Sequence, residues 1–293
     1  MGVCVRVPAS CANIGPGYDS LGMALSLHST FYAEPADRLI IEGCPEAYKN
    51  EENLVYKAFS RVYERAGLPV PGVRIVIDSH IPVARGLGSS STCFAGGTAA
   101  ANALLGDRFT KDDLFQICTS LEGHPDNAAP ALFGGLTASF MSGDKALTVP
   151  FATDPAWRFA TFVPDYEVRT SEARRIVPKE VPLSAAVHTM SHAVAMIRGL
   201  EKGDEALVRA ACEDVLHEPY RRTLIKEYEG LRSMALNAGA AAFIISGSGS
   251  TLIAMTRSEE LAEELCERGR KRFPSVAAKV LTICHDGTVV TPA

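Results

Sequence analysis

The sequence predicts a mixed helix-and-sheet protein of two domains, α+β or α/β in class. The chain has 293 residues, which exceeds one average domain of roughly 100–200 residues. Strand-like and helix-like segments are interleaved in mixed order, as in folds that pack helices on sheets. Pro150, Asp154 and Pro155 interrupt this pattern near the middle of the chain. We therefore predict domains of residues 1–152 and 153–293.

The first half contains regular strand and helix signals. Residues 52–67 show the apolar spacing of an amphipathic helix, with Asn53 as its N-cap and Gly67 at its end. Residues 111–123 have acidic side chains in the first turn and a closing glycine, which also predicts a helix. Alternating or β-branched stretches predict strands at 3–7, 23–34, 73–79 and 135–141. Further helices are expected at 89–105 and, as a short one, at 127–135.

The second half follows the same mixed pattern. Strands are predicted at residues 159–163, 243–246, 251–256 and 276–283. Helices are predicted near residues 171–176, 183–200, 204–216, 221–238 and 258–273. His188 and His192 lie one helical turn apart, but HTMSH lacks the glutamate of H-E-x-x-H and supplies no third ligand. We interpret them as helix-face histidines rather than as a zinc site.

The composition argues against several classes of partner. The net charge is −5 and no dense run of lysine and arginine occurs, so we expect no nucleic acid partner. The uncharged run 86–106 is too rich in Ser, Thr, Gly and Asn for a membrane span, so we expect no membrane partner. Eight cysteines are scattered without a C-x-x-C pair, as expected of reduced thiols. Because MGVCVRVPAS shows no signal-peptide pattern, we expect a cytoplasmic location.

The stretch RGLGSSST, residues 85–92, has the features of an anion site. Gly86 and Gly88 allow backbone angles that a Cβ would forbid. Four hydroxyl residues follow where a helix is expected to start, and Ser and Thr are favoured N-caps. Free N–H groups and the positive end of the helix dipole collect at such a start, and phosphate is their usual ligand. The stretch is not a Walker A loop, because it has no lysine, and it lacks the third glycine of a protein-kinase loop.

Two further stretches combine turn residues with polar side chains that a turn does not need. PASCANIGPGYDSLG sets Asn13 and Asp19 across a Gly-Pro-Gly turn, where Asp19 could receive an ammonium or hydroxyl group. LEGHPDN places Glu122 and His124 just past a helix end. Hard cations such as Mg²⁺ take one or two carboxylates together with phosphate oxygens and waters. Glu122 with a hydroxyl of the serine run would make such a site.

Two arginines and a second glycine-serine stretch complete the polar motifs. ISGSGST joins two predicted strands. It is either a hairpin turn or a loop whose backbone lines a ligand site closely. TSEAR and EPYRR offer Arg174 and Arg221 near predicted helix ends. Two convergent arginines can bind a carboxylate bidentately, although a solvated surface arginine is the commoner arrangement.

Taken together and in this order, these stretches resemble the GHMP family of small-molecule kinases, and most closely its homoserine-phosphorylating members. The glycine-serine motif of the family, P-x3-G-L-G-S-S, stands here as PVARGLGSS, residues 82–90. The N-terminal motif stands as PASCANIGPGYDSLG and the third motif as SGSGST. Within this family, the combination of EGHPDN with PASCANIGPGYD is most similar to the members that phosphorylate homoserine. The resemblance spans nearly the whole chain.

The resemblance implies an α+β fold, with an N-terminal ATP-binding α/β domain (1–152) and a C-terminal ferredoxin-like domain (153–293). It also implies an ATP- and Mg²⁺-dependent kinase that phosphorylates the side-chain hydroxyl of L-homoserine in threonine biosynthesis. A homodimer is a further expectation from the family.

The resemblance also implies a set of site residues. ATP would lie over Asn53, near adenine, and over Pro82, Val83, Ala84, Arg85, Gly86, Leu87, Gly88, Ser89, Ser90, Ser91 and Thr92. Ser90 and Glu122 would bind Mg²⁺. Homoserine would lie among Asn13, Asp19, His124, Thr170, Arg174, Arg221 and Gly247. The catalytic residues would be Asp19, Glu122 and Asn127.

Two positions depart from relatives in the family. Ser250 replaces the proline that is usual in the third motif. Asn127 stands where mevalonate-type relatives carry a catalytic aspartate. An amide at this position fits a phosphoryl transfer that needs no strong protein base. Asp126 is an alternative candidate for such a base. Two alternatives are a kinase for another small alcohol, such as L-threonine or mevalonate, and a non-catalytic ligand sensor. The paired arginines favour an amino acid, and the intact Glu122 argues against a sensor.

Overall fold

A computed structural model describes residues 2–293 of the chain. Their strands, in chain order, are β1 (Val3–Ala12), β2 (Leu21–Pro35), β3 (Ile40–Glu42), β4 (Val73–Ser79), β5 (Leu136–Ser142), β6 (Lys145–Phe151), β7 (Arg158–Pro164), β8 (Ala242–Ile245), β9 (Leu252–Thr256), β10 (Val276–Leu281) and β11 (Val289–Pro292). Their α-helices are α1 (Leu54–Arg65), α2 (Ser89–Leu104), α3 (Lys111–Glu122), α4 (Ala128–Phe133), α5 (Thr170–Arg175), α6 (Leu183–Lys202), α7 (Glu205–Ala211), α8 (Glu218–Arg221), α9 (Tyr228–Asn237) and α10 (Glu259–Arg272). Within this range, none of the helices has the length and apolar character of a membrane span.

The first sheet is formed around the two longest strands, β1 and β2. Its order is β11-β1-β2-β4-β3, with β5 paired to β2 and β6 paired to β5. All pairs are antiparallel except that of β3 with β4. The register of β1 shifts between Pro8 and Ala9, where its polar motif begins. Because β11 returns from the end of the chain to this sheet, the division at residues 152 and 153 stays a prediction.

The second sheet has the strand order β10-β7-β9-β8, with every pair antiparallel. The connection between β7 and β8 contains α5 to α9, and α10 connects β9 to β10. This β-α-β-β-α-β succession is the ferredoxin-like pattern. The predicted class, α+β with a ferredoxin-like second half, is therefore confirmed.

The helices cover the sheets and divide the interior into three cores. The first core, which includes Phe59, lies between the first sheet and α1 to α4. The second, which includes Met23 and Met196, joins residues of the first sheet to residues of the second sheet and of α6. The third, which includes Phe162, lies between the second sheet and α9 and α10. Burial of apolar surface in the second core holds the two halves of the chain together.

Helix α2 is buried at the centre of the first half. A Cβ on Gly96 would lie 2.4 Å from a ring carbon of Phe31, and one on Gly97 would lie 2.1 Å from the carbonyl oxygen of Val55. Glycine at these positions therefore lets α2 pack closely against β2 and α1. This packing explains the uncharged run 86–106, most of which is the buried helix.

Several predicted elements are present with the predicted ends, and one region is different. Asn53 caps α1, because its side chain accepts a hydrogen bond of 2.9 Å from the Val55 amide. Strand β4 covers the predicted residues 73–79. The predicted helix 204–216 is wrong beyond Ala211, where α7 ends. The predicted helix 221–238 is also wrong, because α8, a 3-10 turn and α9 replace it.

Asp214 explains why the helix that α7 begins does not continue past Ala211. Its carboxylate accepts hydrogen bonds of 3.1, 2.8 and 2.7 Å from three successive backbone amides, those of Leu216, His217 and Glu218. An acidic side chain that binds amides in this way competes with a continuing helix and begins a new one. Strands β3, β6 and β11 were not predicted at all. Each lies at the edge of the sheet, where pairing depends on the neighbouring strand more than on the strand's own pattern.

Candidate active site

The loop of residues 82–88 connects β4 to α2 and turns on two glycines. Gly86 and Gly88 have positive φ angles of 79° and 68°. A Cβ on Gly88 would lie 1.9 Å from Oγ of Ser10, and one on Gly86 would lie 2.2 Å from the carbonyl oxygen of Ser246. Both positions therefore require glycine, for conformational and for steric reasons.

The start of α2 differs from the prediction in one respect. Its N-cap is Gly88, which has no side-chain capping bond, so the expected hydroxyl cap is wrong. The hydroxyl groups make other contacts: Oγ of Ser90 donates to Oε1 of Glu122 at 2.7 Å, and Oγ1 of Thr92 donates to the carbonyl of Gly88 at 2.8 Å. Among residues 2–293, no side chain thus caps the amides of the first turn. A helix start in this state can bind an anion.

Contacts from the second half of the chain hold the loop in place. Oγ of Ser246 donates to the carbonyl of Gly86 at 2.7 Å, and the amide of Thr251 donates to the carbonyl of Arg85 at 2.9 Å. The buried Leu87 side chain belongs to the core that joins the two sheets. The SGSGST stretch therefore packs directly on the glycine-serine loop.

Glu122, the last residue of α3, faces the first turn of α2. Its Oε1 accepts the Ser90 hydrogen bond, whereas its Oε2 is buried and has no hydrogen-bond partner among residues 2–293. Oγ of Ser91 is buried in the same unpartnered state. Burial raises the pKa of Glu122. An unpartnered carboxylate oxygen beside serine hydroxyls is a hard-oxygen donor set, which fits the Mg²⁺ that the resemblance implies.

The turn between α3 and α4 carries an imidazole-carboxylate pair. Nδ1 of His124 lies 2.5 Å from Oδ1 of Asp126, which also accepts the amide of Asn127 at 3.0 Å. Burial alone would lower the pKa of His124, but the hydrogen bond and charge of Asp126 outweigh it, and the pKa is raised. Oδ1 of Asn127 accepts a hydrogen bond of 2.7 Å from Ser10 on β1. The turn is therefore fixed to the first strand.

Asn13, Arg221 and Gly247 form one hydrogen-bonded group. Nδ2 of Asn13 and Nη1 of Arg221 both donate to the carbonyl of Gly247, each at 2.9 Å. Oδ1 of Asn13 accepts the amide of Asp19 at 3.0 Å. The guanidinium of Arg221 lies 5.0 Å from the ring centre of Tyr18, and burial lowers the pKa of Arg221. The N-terminal motif, α8 and the SGSGST stretch therefore meet at one point.

Arg174 on α5 joins this group through Asp19. Its two Nη atoms donate to the two carboxylate oxygens of Asp19, at 2.9 Å each. Burial alone would lower the pKa of Arg174, but Asp19 outweighs it, and the pKa is raised. The negative charge of Asp126 also raises the pKa values of Glu122, Arg174 and Arg221, although burial and other neighbouring groups have larger effects. The two parts of the site thus share one electrostatic environment.

The side chains of some predicted residues, among them Asn53, Arg85 and Thr170, take no part in the site contacts described above. Nδ2 of Asn53 donates to the carbonyl of Tyr48 at 2.8 Å, so its side chain is used within α1 and the turn before it. The guanidinium of Arg85 donates to the carbonyl of Pro164 at 3.2 Å. Thr170 is exposed at the start of α5.

Ser10, Tyr18 and Glu218 also support the site, although they were not among the predicted site residues. Ser10 and Tyr18 lie inside the quoted N-terminal motif, which was the available signal. Glu218 lies within the quoted EPYRR stretch, but its role depends on a distant strand: Oε1 accepts the amide of Ile245 at 2.7 Å, just before the SGSGST stretch. Burial raises the pKa of Glu218 to about 8.

Comparisons with known proteins identify the family of the chain. Residues 53–135 match the N-terminal domain of GHMP kinases, and residues 196–275 match the C-terminal domain of GHMP kinases. The chain is 38% identical to a homoserine kinase of Clostridium beijerinckii over 90% of each chain. It is also 38% identical to a homoserine kinase of Clostridium botulinum, over 87% of this chain and 86% of that one.

Solved structures show the same relationship. The crystal structure of homoserine kinase from Cytophaga hutchinsonii superposes with a TM-score of 0.89 at 30% identity, over 99% of this chain and 97% of that one. A mevalonate kinase from L. major shares the fold, with a TM-score of 0.74 at 16% identity over 95% and 94% of the chains. The chain therefore belongs to the GHMP kinase family, and the relatives that it matches at 38% identity are homoserine kinases.

Proposed function

We propose that the protein transfers the γ-phosphoryl group of ATP to the side-chain hydroxyl of L-homoserine, giving O-phospho-L-homoserine for threonine biosynthesis. Two recognition groups on either side of His124 carry this proposal, because the charges of Glu122 and of Arg174 both act on the pKa of that residue. Ser90 at the start of α2 and Glu122 at the end of α3 suit a phosphate-bound cation, and Arg174 with Arg221 suits an amino-acid carboxylate. The homoserine kinases at 38% identity support the choice of substrate.

The phosphates of ATP would bind over the loop of residues 82–92. Amides of the first turn of α2 would donate to phosphate oxygens, because no side chain caps them. Ser90 and Glu122 would hold Mg²⁺, whose charge offsets the charge of the phosphates when it is bound. The adenine would lie toward Asn53, at the start of α1.

The acceptor would lie on the other side of the same site. Arg174 and Arg221 would hold its carboxylate, because the planar guanidinium matches a carboxylate with two hydrogen bonds. Asp19, Asn13 and His124 would bind its amino and hydroxyl groups. The backbone at Thr170 and Gly247 would complete the pocket.

We propose no side chain as a strong base. Asn127 is an amide, and Oδ1 of Asp126 already accepts hydrogen bonds from His124 and from the Asn127 amide. Positioning and charge neutralisation carry most of a phosphoryl transfer, so the phosphoryl oxygens can take the hydroxyl proton. In this mechanism Asp19, Glu122 and Asn127 act by holding substrate groups in line.

The experiment that tests the proposal is ADP release from Mg-ATP with L-homoserine, L-threonine, mevalonate or no acceptor. We expect fast turnover with L-homoserine alone. Preferred turnover of another alcohol would retain the kinase and overturn the substrate. ATP binding without turnover on any acceptor would favour the ligand sensor.

We also propose that the protein is a homodimer that associates through α6. Four side chains follow one another along one face of this helix and are 79%, 52%, 62% and 69% exposed: Leu183, Val187, Met190 and Val194. No Asp, Glu, Lys or Arg occurs between residues 183 and 197, so two copies of this face would meet without repulsion between like charges. Light scattering should show a dimer that Val194→Glu dissociates. Val149→Glu, at a side chain 45% exposed, is the control.

A cytoplasmic location is part of the same proposal. All eight cysteines are free thiols in the structure, as expected of a reducing compartment. Fractionation of cells that express the tagged protein would test it.

A further inference from the structure

Three side chains with metal-binding atoms meet away from the kinase site. His188 and His192 lie one turn apart on α6, and Glu213 follows the end of α7. One ligand atom from each lies within 4.8 Å of the other two. The sequence supplied two of these residues and no third ligand. The fold supplies the third, because α7 runs back along α6.

The hydrogen bond of His192 prepares its imidazole for metal binding. Nδ1 of His192 lies 2.8 Å from the carbonyl oxygen of His188 and donates to it, so Nε2 of His192 carries the lone pair. The two imidazole rings are stacked, with centroids 3.6 Å apart. Nε2 of His188 lies 3.3 Å from the carbonyl oxygen of Glu213 and 3.9 Å from its Oε2, so the metal would replace a contact with the backbone of Glu213. A backbone carbonyl that fixes the tautomer of an imidazole is the usual support of a metal-ligating histidine.

The backbone that carries Glu213 is also held in place. The next residue, Asp214, is buried and accepts three backbone amides. The preceding residue, Cys212, donates to the carbonyl of Phe243. The carboxylate itself is exposed and can rotate toward the histidines. The backbone at Glu213 is thus held in place, whereas its carboxylate can move toward a bound metal.

We propose that His188, His192 and Glu213 form a binding site for Zn²⁺, with water as the remaining ligand. Two imidazoles and one carboxylate are a donor set typical of Zn²⁺, and imidazole ligands suit zinc, copper and nickel rather than Mg²⁺. Zinc–ligand distances are about 2.0–2.2 Å, so the three atoms must draw together slightly from their present spacing. Rotation of the exposed side chains can supply this movement. The site differs from the Ser90–Glu122 pair in location and in chemistry.

Bound Zn²⁺ would tie α6 to the end of α7. None of residues 183–192 in α6 is fully buried, and the helix packs mainly on α7. A metal that binds the folded state alone stabilises it in proportion to its saturation. Zn²⁺ should therefore raise the melting temperature of the whole chain without being needed for turnover.

The test is calorimetric titration of the full-length, chelator-treated protein with zinc chloride alone. We expect one strong site per chain. His192→Gln should weaken it by more than about 100-fold, the upper end of the loss caused by removing an outer-shell partner of a metal. Glu213→Gln should weaken it by about tenfold. His80→Gln, at an exposed histidine outside the cluster, should leave it unchanged.

Two results would overturn the proposal. One is the absence of a stoichiometric Zn²⁺ site in the parent protein. The other is unchanged affinity in His192→Gln, which would place the metal on cysteine thiols; a thiolate charge-transfer band in the Co²⁺-loaded protein would confirm that outcome. Circular dichroism and kinase activity should be normal in each variant, because none of these residues belongs to the proposed active site.

Discussion

Arg174 donates two parallel hydrogen bonds to the carboxylate of Asp19, from Nη1 to Oδ2 and from Nη2 to Oδ1, each 2.9 Å long. This is the geometry in which a guanidinium would bind the carboxylate of an amino acid. Asp19 therefore orients Arg174, which lies on the opposite half of the chain. Both side chains are more than one third exposed, so solvent weakens the pair and a substrate carboxylate can compete for it.

Replacing Arg174 with alanine is expected to raise the KM for L-homoserine by about 10- to 100-fold, since a charge-assisted contact is worth about 1.5–3 kcal/mol. The KM for ATP should change little. Arg174→Lys should recover only part of the loss, because lysine has no planar fork. The neighbouring, exposed Arg175 provides the control variant, Arg175→Ala. An unchanged KM for L-homoserine in Arg174→Ala would show that the carboxylate binds elsewhere.

Glu122→Gln is expected to lower kcat by about 100- to 1,000-fold, as measured by ADP release, because electrostatic groups at the reacting centre contribute losses of this size. Since the amide keeps the shape of the side chain and removes its charge, the variant should also need more Mg²⁺ for half-maximal activity. Glu267→Gln, on the exposed face of α10, is the matched control. Undiminished turnover in Glu122→Gln would refute the metal assignment.

Glu122→Gln is also expected to stabilise the ligand-free protein at neutral pH. Because burial raises the pKa of Glu122, the folded state binds its proton more tightly than the unfolded state does. The stabilisation from this proton is present in full below the pKa of Glu122 in the unfolded state, and it is lost as the pH rises through the pKa in the folded state. Glu122→Gln avoids this loss. Thermal melts should show the variant above the parent at about pH 8, with the difference disappearing at about pH 4.

A comparison of Gly88→Ala with Gly106→Ala distinguishes the cost of a strained backbone from the cost of a steric clash. Both glycines have positive φ, but a Cβ on Gly106 would meet open space, whereas one on Gly88 would lie 1.9 Å from Oγ of Ser10. Gly106→Ala should lower the free energy of unfolding by about 1–2 kcal/mol. Gly88→Ala should cost more and should raise the KM for ATP. Equal losses in urea unfolding would contradict the close approach of Ser10.

The His124–Asp126 pair predicts a pH-dependent contribution to stability. Asp126 keeps the pKa of His124 raised, so the pair contributes most below the unfolded pKa of about 6.5 and less as the pH rises through the folded pKa. Asp126→Asn should therefore destabilise the protein more at about pH 5.5 than at about pH 9. Its His124 ring resonance should titrate at lower pH in NMR spectra. An equal loss of stability at both pH values would show that the charge on His124 is not involved.

Local features were predictable from the sequence because they depend on a residue and its immediate neighbours. Gly86 and Gly88 indicated a tight loop before a helix, since only glycine adopts their φ angles without strain. Asn53 indicated the start of α1, because an N-cap is a contact within one turn. The strand at residues 73–79 followed from its own side-chain pattern. These contacts are short in sequence, so the order of residues alone determines them.

The tertiary structure decided which of these local features meet. Asp19 and Arg174 are 155 positions apart, and Ser10 and Asn127 are 117 positions apart. Their contacts depend on strand register and on the core that joins the two sheets. No local pattern encodes either. The return of β11 to the first sheet has the same origin, because a distant partner outweighs the small free-energy differences of local propensity.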